Sequence, residues 1–102
     1  MLASFSIVPV GSAQEVRREV AAALALVADS GLPYVLGAMQ TTVEGDEAEV
    51  MELIMRCHRR VRELSPRVLT HITIDDRAGA EKRLSGKVQD VEAVLGRTLS
   101  HE

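Results

Sequence analysis

Apolar and polar positions alternate from the first residues. Over Leu2 to Pro9, Ala3, Phe5 and Ile7 fall on one side and Ser4 and Ser6 on the other. That period of two predicts a strand, which Pro9 and Gly11 end. The period then lengthens. Ser12 and Glu15 form a capping box, in which each side chain satisfies an orphan amide of the other. Behind it Val16, Val20, Ala23, Leu24 and Val27 recur at helical spacing, with Arg17, Arg18 and Glu19 mostly off that stripe. Ser30-Gly31 stops the helix, since glycine enters the left-handed conformation cheaply.

The β-branched and aromatic residues of Pro33–Ala38 and Gln40–Gly45 predict two short strands joined by a tight turn or bulge, or one long bent strand. A second capping box, Asp46 and Glu49, opens a helix whose apolar residues Val50, Ile54, Cys57, Val61 and Leu64 step by four, three, four and three. Ser65-Pro66 ends it. Arg67 to Asp75 alternates again, with Val68, Thr70, Ile72 and Ile74 on one face and Leu69, His71, Thr73 and Asp75 on the other. The turn Asp76–Gly79 leads to a final helix carrying Leu84, Val88, Val91 and Leu95, with Gly96 near its end and Gly86 blurring its start.

The order strand, helix, strand, strand, helix, strand, helix predicts an α+β fold: the ferredoxin-like βαββαβ pattern with an additional C-terminal helix. Right-handed crossovers place both main helices on one face of a four-stranded antiparallel sheet, with the first strand between the third and fourth. Ala3, Phe5, Ile7, Val68, Ile72 and Ile74 are expected under the helices. Ser4, Ser6, Leu69, His71 and Thr73 are expected on the open face, together with Thr42 and Glu44 or their neighbours. That small, polar face is where function is expected.

Length and composition narrow the classes. At 102 residues, 46% hydrophobic and 26% charged, the chain has room for a single domain, residues 1–102, with one core. The net charge of −3, with Tyr34 and Phe5 the only aromatics, argues against nucleic acid. The cluster Arg56, His58, Arg59, Arg60 and Arg62 reads as the solvated outer face of the second helix. The apolar run Ala21–Ala28 is too short to span a bilayer, and the first residues lack the basic region of a signal peptide. One cysteine permits no internal disulfide, which fits a reducing, cytoplasmic location.

Candidate chemistry is sparse. Cys57 and His58 point apart and do not make a metal site, and Cys57 belongs to the apolar stripe rather than to a nucleophilic centre. Asp75-Asp76-Arg77 reads as a strand-ending turn. His71 and Asp75 on the open face are the candidates for acid–base roles if the chain is an enzyme acting on a heterocycle. Thr41-Thr42-Val43-Glu44-Gly45 offers two hydroxyls and a carboxylate opposite Ser6 and His71. Such a cleft suits a small cation, with Tyr34 the only tyrosine able to offer an aromatic face.

Ser6-x-x-Pro9-x-Gly11, Ser30-Gly31-Leu32-x-Tyr34, Thr41-Thr42-Val43-Glu44-Gly45 and Ile72-x-Ile74-Asp75-x-Arg77 together resemble the small thiamine-binding proteins, a family of about one hundred residues. The likeness extends to Lys87-Val88. Thr73 departs from it, since many relatives carry a basic residue there. The resemblance implies a ferredoxin-like fold, sheet-to-sheet dimers that pair into homotetramers, and binding of thiamine or a related pyrimidine as ligand, with no cofactor and no known catalysis. Ser6, Tyr34, Thr41, Thr42 and Glu44 are the expected ligand-binding residues.

Overall fold

The computed structural model describes residues 1–11 and 16–79. Six elements follow in order: β1 (Leu2–Val10), α1 (Val16–Ala28), β2 (Tyr34–Leu36), β3 (Thr41–Glu44), α2 (Glu47–Leu64) and β4 (Arg67–Asp75). All strand pairs are antiparallel, and the sheet order is β2-β3-β1-β4, with β1 between β3 and β4 as the chain order requires. This is the ferredoxin-like arrangement. The Ser12–Glu15 capping box and the final helix with Lys87 lie outside the described residues.

Register decides which side chains share a face. β1 pairs β3 with Ala3 opposite Val43 and Phe5 opposite Thr41, and pairs β4 with Phe5 opposite Ile72 and Pro9 opposite Val68. Odd residues of β1 therefore look toward the helices. There Ala3, Phe5 and Val43 meet Ala23 and Val27 of α1 and Val50, Leu53, Ile54, Cys57 and Val61 of α2 in one buried cluster.

Four expectations about this core are corrected. Ile72 and Ile74 do face the helix side, but they are 37% and 49% exposed. β4 is an edge strand, and α2 reaches only its first half, where the His58 ring nitrogen Nδ1 lies 2.6 Å from the Thr70 hydroxyl. His58 is consequently half-buried against β4 rather than on the outer face with Arg56, Arg59, Arg60 and Arg62. Leu64, the last residue of α2, is exposed, whereas Leu53, off the expected stripe, is buried. Glu19 is buried rather than on the wet side of α1; four residues before Ala23, it shares that residue's face.

Local signals match the ends of elements unevenly. Gly31 takes φ +80 just after α1, and the Ser30 hydroxyl donates to the Val27 carbonyl at 2.7 Å. Asp46 occupies the N-cap of α2, yet its side chain makes no capping hydrogen bond, so the second capping box is not formed. β1 ends at Val10, between Pro9 and Gly11 as expected.

Candidate functional site

β1 and β4 pair along nine residues, whereas β3 accompanies β1 only from Leu2 to Phe5. The β2–β3 hairpin turns back at Gly37–Gln40, with the Gly37 amide donating to the Gln40 carbonyl at 2.9 Å. Beyond Phe5 the chain that would continue the sheet swings outward, and Met39 at its tip is 87% exposed. The space left between β1, this hairpin loop and the first turns of α1 is a cavity of about 320 Å³. Its walls are Phe5 to Pro9, Leu36 to Thr41, and Val20, Ala23 and Leu24. No side chain among them is ionisable.

Thr41 is the polar residue most enclosed there. It is 8% exposed, and its hydroxyl has no hydrogen-bond partner among the described residues. Buried hydroxyls are nearly always paired, so an unpaired one in a cavity wall is available to a ligand. Gln40, at the rim, is already engaged: the Ser4 hydroxyl donates to its Oε1 at 2.5 Å and lies 3.3 Å from the Thr42 hydroxyl.

The five residues expected to bind ligand are divided by the sheet. Thr42 opposite Ser4 and Glu44 opposite Leu2 put both on the open face with Ser4 and Ser6. Thr41 lies on the helix side, in the cavity wall. Tyr34 pairs with Val43 and so also belongs to the helix side, but it stands on the edge strand β2 and does not line the cavity. Ser6 lines the cavity while its parity belongs to the open face. The site expected around Glu44 is thus not a single cleft. His71 and Asp75 share the open face, but four residues of extended strand hold them about 13 Å apart.

Ile7, Leu36, Gly37, Ala38 and Gln40 were not among the expected site residues. One signal for them is in the sequence. A proline inside an alternating strand marks a position whose amide has no ladder partner, and Pro9 stands beside the open edge of β1.

Cys57 is buried in the core, its thiol donating to the Ala23 carbonyl at 3.4 Å. Burial pushes that thiol up to about 11, against the opposing pull of the Arg56 charge. Among the described residues no group of three or more His, Cys, Asp or Glu side chains is placed to hold a metal ion, and no helix is long and apolar enough to cross a membrane. On the outer face of α2, Arg59 pairs with Glu52 and Arg60 with Glu63, each at 3.0 Å and well exposed.

Residues 3–92 match the family model described as thiamine-binding protein. The chain belongs to that family. A UPF0045 protein of Mycobacterium bovis is 40% identical over 96 residues, spanning 93% of this chain and 94% of the relative. Among solved structures, a hypothetical protein of Methanocaldococcus jannaschii superposes with a TM-score of 0.81 at 28% identity, covering 88% of this chain and 93% of its own. A Thermotoga maritima protein, provisionally assigned to thiamine biosynthesis or salvage, superposes at 0.78 with 24% identity over 88% and 96% of the two chains. The last likeness speaks for the fold alone.

Proposed function

We propose that the protein binds thiamine or a related aminopyrimidine without turning it over, and that the cavity beside β1 is the seat. The match of residues 3–92 to the thiamine-binding family carries the choice of ligand. The cavity carries the choice of place. At about 320 Å³ it is in the size range of small-ligand pockets, which combine apolar walls with a few polar groups. Those walls lack charge, which suits the neutral aminopyrimidine ring. The cationic thiazolium sits at the mouth, where water keeps it solvated, since burying an unpaired charge is costly. Thr41 and Ser6 remain in the binding set from the sequence; Tyr34, Thr42 and Glu44 drop out of it.

Binding rather than catalysis is favoured because the acid–base candidates His71 and Asp75 stand apart on the face opposite the cavity. The same face offers Val8 and Leu69, opposite one another and 46% and 44% exposed. We propose that it is covered by a second copy of the chain, giving a homodimer that pairs again into a homotetramer.

Calorimetry with thiamine and with its free aminopyrimidine half separates the two possible seats. Thr41→Val keeps the shape of the wall and removes the hydroxyl, and is expected to weaken binding by about tenfold, the usual worth of one hydrogen bond. Glu44→Gln is expected to leave affinity unchanged. The reverse outcome would move the site to the open face.

A further inference from the structure

The open edge of β1 presents its backbone to the cavity in a defined pattern. Met1 and Gly45 exchange both hydrogen bonds, the Met1 ammonium donating to the Gly45 carbonyl at 2.9 Å and the Gly45 amide to the Met1 carbonyl at 3.0 Å. In an antiparallel ladder such doubly bonded pairs recur at every second residue. Ala3 and Phe5 therefore also aim their N–H and C=O at β3, where Val43 and Thr41 receive them. The next residues in that series are Ile7 and Pro9. Continuing the register would bring Met39 opposite Ile7, but the hairpin loop has turned away, and β3 does not extend past Thr41.

Pro9 has no N–H to satisfy, so it brings only a C=O to this edge. Ile7 is different. Its N–H and its C=O both point into the space between β1 and the loop, and no described residue bonds either one. Ser6 and Val8, of the opposite parity, spend theirs on β4. A half-buried residue that offers a free donor and a free acceptor side by side, in a cavity with uncharged walls, is an uncommon arrangement. Backbone groups removed from water are almost always paired.

We infer that Ile7 is the ligand-reading residue of the cavity, and that its main chain takes the edge of an aminopyrimidine as a short length of missing strand. The Ile7 N–H donates to a ring nitrogen, and the neighbouring exocyclic amine donates to the Ile7 C=O. Thr41, whose backbone pairs with Phe5 two residues before, supplies the third point through its hydroxyl. Recognition by main chain explains why the pocket needs no charged side chain. It also assigns selectivity: rings with a donor beside an acceptor on one edge are accepted, and rings lacking the amine are not.

This assignment rests on the binding proposed above, and the test keeps the two apart. Amide exchange is followed by nuclear magnetic resonance on the full chain, free and saturated with the aminopyrimidine half of thiamine, with heats of binding measured in parallel. The expected result is an Ile7 amide that exchanges quickly in the free protein and at least tenfold more slowly when saturated. Val8, bonded to β4 throughout, serves as the internal control. The same ring with a methyl group in place of the amine should bind at least tenfold more weakly, since the Ile7 carbonyl would then be left unpaired. Binding heat with no change at Ile7 overturns the assignment and leaves the proposed function standing. No heat with either thiamine or its pyrimidine half overturns both. An Ile7 amide already protected in the free protein, more so as protein concentration rises, would mean that a second copy fills the edge, and overturns the assignment as well.

Discussion

Cys57 shows how completely one residue's chemistry is set by its neighbours. Its side chain is buried between α1 and α2, and burial pushes the thiol up to about 11. The folded state thus holds the proton more tightly than the unfolded chain does. The associated stability is fully present below the ordinary thiol range and is lost as pH rises through about 11. A Cys57→Ala protein should show a flatter alkaline stability profile by denaturant titration, although the small cavity left behind lowers its stability at neutral pH. Thiol reagents should label the native protein only at its rate of unfolding. Rapid labelling at neutral pH would contradict the packing. At this scale the sequence was informative where periodicity applied: Cys57 on the stripe and the shared parity of Ser4, Thr42 and Glu44. It was silent on Thr41 as an enclosed hydroxyl, because one residue of register separates it from the open face.

The elements themselves were legible from pattern. Both helices and all four strands lie where the periods change, and β4 matches its alternating run from Arg67 to Asp75. Capping signals transferred less well, since Asp46 caps by position without its side chain. What alternation cannot reveal is relative strand length, which depends on where a hairpin turns. The turn at Gly37 has a definite steric cause. A Cβ there would lie 2.8 Å from the Gln40 carbonyl oxygen, closer than such atoms approach. Gly37→Ala must therefore shift the loop that forms the cavity's outer wall. It is expected to reduce ligand affinity clearly while costing about 1 kcal/mol of stability, an ordinary value for one substitution. Calorimetry and thermal melts on the same sample separate the two effects; unchanged affinity would show that the loop is not part of the seat.

At the scale of the molecule, the two described helices, α1 and α2, cover only part of the sheet. Val8 and Leu69 are exposed on the open face, and Ile72 and Ile74 on the half of β4 beyond α2. A chain of 11.1 kDa that leaves this much apolar surface wet gains by pairing with itself. Light scattering at micromolar concentration is expected to return a multiple of the monomer mass, and a charge placed at Leu69, as in Leu69→Glu, should reduce it. A wild-type mass near 11.1 kDa would refute the assembly. Such surfaces are hard to read from sequence, because the same alternation of apolar and polar residues describes a strand whether or not a helix reaches it.

The mismatch in strand lengths has a further consequence. The sheet is four strands wide where Ala3 to Phe5 lie and two strands wide at Val8 to Val10. Isolated two-stranded ribbons are marginally stable in water, and native proteins open piecewise, weakest parts first. This end of the sheet, supported among the described residues by α1 from one side, is expected to fray well before the core melts, with Val10 exchanging its amide faster than Ser4. A heterocycle lodged along Ile7 would widen the ribbon by part of a strand and slow that fraying without altering the wide end. Vitamin occupancy would then be written into the breathing of one corner of the sheet, legible to any partner that senses stiffness rather than shape.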